Sequence, residues 1–289
     1  TISSSEFLKI QTKKHTLFGY ASKLRERINQ NLKMYDFKDD ELAIINALLL
    51  GQRQDISKEI YDSYSQAGVI HILAVSGLHV GIILLLLNFF LKPLERMKHG
   101  KIIKIICIVT LLWSFAIVAG LSASVTRAVT MYSIVAIAMN LKRPTNIFNT
   151  LAISMFVILL FKPLFLLDVG FQLSYLAVFA IVTLQPIFYK LWKPKIKLVD
   201  YFWQIFTVTL AAQFGVIPVS LYYFHQFPGL FFVSNLVIIP VLGFILGFGI
   251  LVIILALLNI LPNILAHLYG SIISLINDFV AWISLQEQF

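Results

Sequence analysis

From residue 68 onward, apolar runs long enough to cross a membrane alternate with short polar breaks. A hydrocarbon layer of roughly 30 Å takes about 20 apolar helical residues, and on that measure the pattern predicts segments at 68–91, 102–120, 123–140, 147–161, 169–185, 200–224, 229–258 and 264–284. The runs are continuous and lack the period-two alternation of an outer-membrane barrel. The expected fold is therefore all-α, a polytopic transmembrane helical bundle of about 7 to 9 membrane segments, some broken or re-entrant. The seventh segment is too long for one straight span and contains Pro240, so it reads as a broken helix or two short pieces.

Residues 1–67 differ in kind, holding 10 of the 23 Lys and Arg and 9 of the 14 Asp and Glu. They read as a solvated, near-neutral segment, the tail of a preceding domain followed by amphipathic helices. Residues 68–289 read as the transmembrane domain. In "GYASKLRERINQNLKMY", Leu24, Ile28, Leu32 and Tyr35 fall near one helical face, which suits a helix lying in the membrane interface or one packed on a soluble domain. The sequence opens without a methionine or signal peptide, which predicts a fragment of a longer polypeptide.

Composition strengthens the membrane assignment: 59% of residues are hydrophobic, 13% are charged, and the mean hydropathy is +0.86. The net charge of +9 is chiefly a topology signal. The first, third and fifth loops carry eleven basic residues, among them Lys98, Arg143 and Lys195, whereas the second, fourth and sixth carry only Lys162. The positive-inside rule makes the first set cytoplasmic and puts residues 1–67 outside. Cys107 has no second cysteine to pair with.

Polar residues inside apolar runs are the candidate chemistry, because each must face another polar group, a cavity or water. "HILAVSGLHVGIILLLLNFFL" places His71, Ser76, Gly77, His79 and Gly81 in the first half of a segment whose second half is nearly pure anchor. Ser76, His79, Gln172, Ser174, Gln213 and Asn235 are candidates for a transport path, set mostly in the outer half as a vestibule closing toward the midplane. Gly77 and Gly81 form a GxxxG, as do Gly243 and Gly247, a pattern suited to helix packing; Gly77, Gly81 and Pro240 are the candidates for helix packing or a constriction. Arg127 is expected to pair with Asp168 or Asp278, unless it snorkels to the interface. His71 and His79 are too far apart along one helix, about 12 Å, to share a metal, and no phosphate loop is present. No metal or other cofactor is expected.

Four stretches, "AGVIHILAVSGLHVG" (67–81), "GLSASVTRA" (120–128), "DVGFQLSYLAVFA" (168–180) and "AAQFGVIPVSLYYFHQFPGLFFVSNLVIIP" (211–240), resemble in this order the membrane domain of the ComEC family of competence DNA-uptake channels. The segment "ALLLGQRQDIS" (47–57) resembles what precedes the first motif. The resemblance implies a channel in the cytoplasmic (inner) membrane that takes up single-stranded DNA during natural transformation. It also implies a DNA receptor and a cytoplasmic DNA-translocating motor as partners, besides the lipid bilayer. Family members typically carry an extracytoplasmic OB-like domain and often a metallo-β-lactamase-like nuclease domain; neither is in this sequence, and no nuclease activity is expected of it. The rival readings are a small-solute transporter with broken helices and an intramembrane serine hydrolase built on Ser76 with His79, His225 lying too near the surface to serve.

Overall fold

A computed structural model describes residues 17–140, 146–225 and 229–286, and every regular element among them is helical. The order is α1 (Leu17–Leu32), α2 (Asp39–Leu50), α3 (Lys58–Gln66), α4 (Ile70–Leu73), α5 (Gly77–Phe90), α6 (Gly100–Val118), α7 (Ala123–Asn140), α8 (Ile147–Phe161), α9 (Val169–Lys190), α10 (Lys197–Phe224), α11 (Phe231–Leu257) and α12 (Asn263–Gln286). Short 3-10 turns precede α6 at Lys92–Arg96 and α9 at Pro163–Leu167. Five helices, α6 and α9 to α12, are long and apolar enough to cross a membrane; α5, α8 and Ala123–Ile137 of α7 are shorter apolar helices. The protein is an all-α, polytopic, multi-pass helical protein.

The expected span at 68–91 is not one helix. Ala74 (φ −88°, ψ 127°) and Ser76 (φ −110°, ψ 173°) are extended, so α4 stops and α5 starts afresh at Gly77. Depths counted along an unbroken helix therefore do not apply to Ser76 and His79. The seventh segment departs in the other direction. α11 runs without interruption through Pro240, as α9 does through Pro186 and α10 through Pro218. Membrane helices tolerate proline where neighbours absorb the freed carbonyl.

Residues 17–67 are built into the bundle. The largest apolar core joins Ile28 and Leu32 of α1 and Leu42, Ile45 and Leu49 of α2 to Ile238, Leu242 and Ile245 of α11 and Tyr269 and Ile273 of α12. The boundary at 67/68 marks a change of composition, and the core runs across it. The inner part of the α1 stripe is thus spent on the protein, while Leu24 is exposed. Arg25 Nη1 donates to Val118 O at the end of α6 (2.9 Å) and Asn31 Nδ2 to Ala256 O near the end of α11 (2.9 Å).

α2 is the larger departure, because all ten residues from Glu41 to Leu50 are buried. Glu41, 6% exposed, accepts from Ser274 Oγ (2.8 Å) and from the Lys38 N–H (3.1 Å), which makes a buried carboxylate tolerable. The helix ends on Gly51 in the left-handed region (φ 70°), and a Cβ there would lie 2.6 Å from Ala119 O. Only glycine satisfies both the turn and the approach of α2 to α6.

Two polar ties fix the lysine-bearing turns. Lys104 Nζ lies 2.6 Å from Glu95 Oε1, and this hydrogen bond holds the Glu95 carboxyl below the usual carboxylate range. Between α9 and α10, Tyr189 Oη donates to Asp200 Oδ1 (2.6 Å) and Trp203 Nε1 to Tyr189 O (3.3 Å).

Candidate functional site

The break before α5 creates the site's first element. A helix beginning inside an apolar run must satisfy its first N–H groups, and Ser76 stands at the N-cap position with His79 three residues on. The histidine takes the place of the usual Glu or Gln of a capping box. Its Nδ1 accepts the Ser76 N–H (3.3 Å) and lies 3.0 Å from Ser76 Oγ. Accepting at Nδ1 puts the proton of a neutral ring on Nε2. His79 is fully buried, and its Nε2 has no hydrogen-bond partner.

α7 packs against this turn through the glycines. A Cβ on Gly77 would stand 2.8 Å from Arg127 Nη2, and one on Gly81 would stand 2.8 Å from Tyr132 Oη. The GxxxG of α5 thus admits two long polar side chains of α7. In the second pair, a Cβ on Gly243 meets nothing within 4 Å, and one on Gly247 would be 3.9 Å from a Leu86 methyl.

Arg127 is 6% exposed and forms no ion pair with Asp168 or Asp278, contrary to expectation. Its Nε donates to Ser174 Oγ (2.6 Å), its Nη1 to Met131 Sδ (3.4 Å), and its guanidinium carbon is 5.7 Å from the centre of the Tyr175 ring. Asp168 is exposed and caps α9, accepting the Phe171 N–H at Oδ1 (2.8 Å). Asp278 is exposed on α12. Physically, a carboxylate at a helix N-cap already has a strong donor, so it gains little by leaving for a guanidinium.

Around Arg127 the first turn of α5 and the first two turns of α7 and α9 therefore meet. Ser124 Oγ of α7 lies 3.4 Å from Ser174 Oγ, and Tyr175 is held by Ser154 of α8 (3.0 Å). Ser76, His79, Arg127 and Ser174 belong to this cluster. The other candidates stand apart. Gln172 donates to Leu166 O of its own segment (2.9 Å), Gln213 is half-buried on α10, and Asn235 is buried on α11 with Oδ1 unpartnered. Pro240 lies within α11. His71 is exposed on α4, and His225 caps α10 at the surface.

Of two cavities, of about 280 and 310 Å³, the first lies between α11 and α12 and the second near Asn88, Glu95 and Lys104, with Tyr132 in its wall. Neither is the expected vestibule. Sequence reasoning missed Ser124, Met131, Tyr132 and Tyr175; Ser124 and Tyr175 lie inside stretches already singled out at 120–128 and 168–180.

Comparison with known proteins gives one family and two relatives. The family model described as "Competence protein" matches residues 48–288. ComE operon protein 3 of Bacillus subtilis (strain 168) is 31% identical over 201 residues, covering 70% of this chain and 25% of the relative. Competence protein ComA of Neisseria gonorrhoeae is 26% identical over 168 residues, covering 55% of this chain and 24% of the relative. The chain thus spans about a quarter of the length of these relatives. No solved structure matches.

Proposed function

The chain belongs to the competence-protein family, and on that premise we propose that it forms the membrane channel through which single-stranded DNA enters the cell during natural transformation. The observation that carries the reading is the family match, which covers the whole of α5 to α12. The cluster at the N-terminal ends of α5, α7 and α9 supports it. A strand crossing hydrocarbon needs hydrogen-bonding partners and aromatic faces along its path. Ser76, His79, Ser174 and Tyr175 offer both at one end of the bundle. In this reading the cluster lines the strand's entry, with Gln172, Gln213 and Asn235 further along the path, and the described conformation is closed.

The proposed membrane is the cytoplasmic one, with the lysine-bearing loops inside and residues 1–67 outside. A DNA receptor would deliver the strand and a cytoplasmic motor would pull it, the chain having no nucleotide-binding loop of its own. Single cysteines placed beside Lys98 and Lys195 are expected to react with a membrane-impermeant maleimide only after permeabilisation. Labelling of intact cells at both positions would reverse the orientation. The function itself is tested in a strain lacking the full-length gene: complementation is expected to restore entry of labelled DNA, and unchanged entry in the deletion would remove the reading.

One observation favours a second reading, an intramembrane serine hydrolase: Ser76 Oγ is 3.0 Å from His79 Nδ1. Against it, His79 Nε2 has no carboxylate to orient the ring as a base, and Nδ1 already accepts the Ser76 N–H. Ser76 is expected to stay unlabelled by a fluorophosphonate; stoichiometric labelling would make the protein an enzyme.

A further inference from the structure

We propose that Arg127 is a phosphodiester-binding subsite, taking one backbone phosphate of a DNA strand at the junction of α5, α7 and α9. The inference rests on the DNA-uptake reading and goes beyond it by assigning the ligand group. A guanidinium taken out of water is costly unless an anion compensates it. Here its protein partners are a hydroxyl, a thioether and an aromatic ring, all neutral. Among the described residues no carboxylate lies within salt-bridge reach. Nε and one Nη1 hydrogen are engaged, which leaves Nη2 and the second Nη1 hydrogen without a protein acceptor, the paired donors that suit a phosphate.

The surroundings have the same sign. The first turn of α5 lies against Arg127 at Gly77, and a helix N-terminus carries a partial positive charge. On the same first turn of α5, His79 carries a second buried nitrogen, Nε2, with no acceptor. Neutral partners also suit passage, because Ser174 orients the guanidinium without neutralising it, so an arriving phosphate displaces no competing anion and leaves none behind. The low exposure of Arg127 favours a strand threaded between the helices over a lipid headgroup approaching from the periphery.

The test uses the full chain in a maltoside detergent, free of phospholipid, with a fluorescent oligothymidylate as probe and the affinity followed against salt. The wild-type protein is expected to bind, and Arg127→Gln to bind more weakly with a slope of log K against log salt shallower by about 0.7, the value for one phosphate contact on a single strand. Arg127→Lys, which keeps the charge and loses the fork, is expected to be weaker with an unchanged slope. Should Arg127→Gln fail to fold, Ser174→Ala decides: weaker binding at unchanged slope is expected, and unchanged affinity overturns the proposal. Wild-type binding with Arg127→Gln identical in affinity and slope overturns the subsite and spares the uptake reading. A defect seen only after phosphatidylglycerol is added back makes the ligand a lipid headgroup and also overturns it. No binding by the wild type overturns both.

Discussion

His79→Leu is expected to abolish DNA entry while the protein remains folded, inserted and able to bind DNA at the cell surface. The stability cost should stay at about 1 kcal/mol, that of leaving the Ser76 N–H without its acceptor, because the substitution otherwise replaces a fully buried ring, whose Nε2 has no partner, with an apolar side chain of similar bulk. What is lost is one buried donor on the first turn of α5 and the bond to the Ser76 N–H. Losing the cap itself costs about 1 kcal/mol, as Ser76→Ala would show. Ser76→Asn separates the two roles, since asparagine caps as well as serine does. If α5 needs only a cap, Ser76→Asn transforms normally and Ser76→Leu does not; if the hydroxyl lines the path, both fail. The measurement is nuclease-protected DNA per cell at matched membrane levels. Normal entry with His79→Leu would make this turn a packing device.

Gly51→Ala is expected to destabilise the fold by roughly 2 to 4 kcal/mol, adding the strain of a left-handed alanine to a forced displacement of neighbouring backbone. The clash is with Ala119 O, a carbonyl that cannot rotate away as a side chain would. The loss falls on the contact between α2 and α6, so the expected readout is a lower thermal unfolding midpoint in detergent. Gly243→Ala is the matched control: a Cβ there meets nothing within 4 Å, and the substitution should be neutral or gain up to about 1 kcal/mol through helix propensity. Equal midpoints for the two variants would show that α2 does not depend on its approach to α6.

The membrane helices were legible because apolar length is a direct consequence of bilayer thickness, and α6 to α10 lie close to where the pattern places them. Two kinds of information were not. Pro240 reads as a break because proline forfeits one hydrogen bond, yet whether a helix continues past it depends on neighbours the pattern does not contain. The break at 74–76 was hidden the other way, since its residues are mostly apolar and the cap uses His79 where the familiar signature has Glu or Gln. α2 was obscured by averaging: in "ELAIINALLL" eight of ten residues are apolar, too short a stretch for a span and surrounded by charge, so its burial shows only when α11 and α12 close around it. Arg127 was marked as needing compensation, and sequence logic sought a carboxylate where the fold places only the neutral Ser174, Met131 and Tyr175.

Burial of α2 also sets the order in which the molecule can be completed. Glu41 meets Ser274 across 233 positions of chain, Asn31 meets Ala256 across 225, and Tyr64 meets Asn277 across 213. A ribosome makes α2 roughly two hundred residues before its partners α11 and α12. Until that hairpin emerges, the apolar stretch 42–50 of α2, interrupted only by Asn46, has no protein surface to cover it and must be sheltered by lipid or by a chaperone. Assembly therefore cannot proceed span by span from one end; the core closes in a single late event, and a ribosome that stalls before residue 231 leaves a chain with α2 still uncovered, a ready mark for proteolysis.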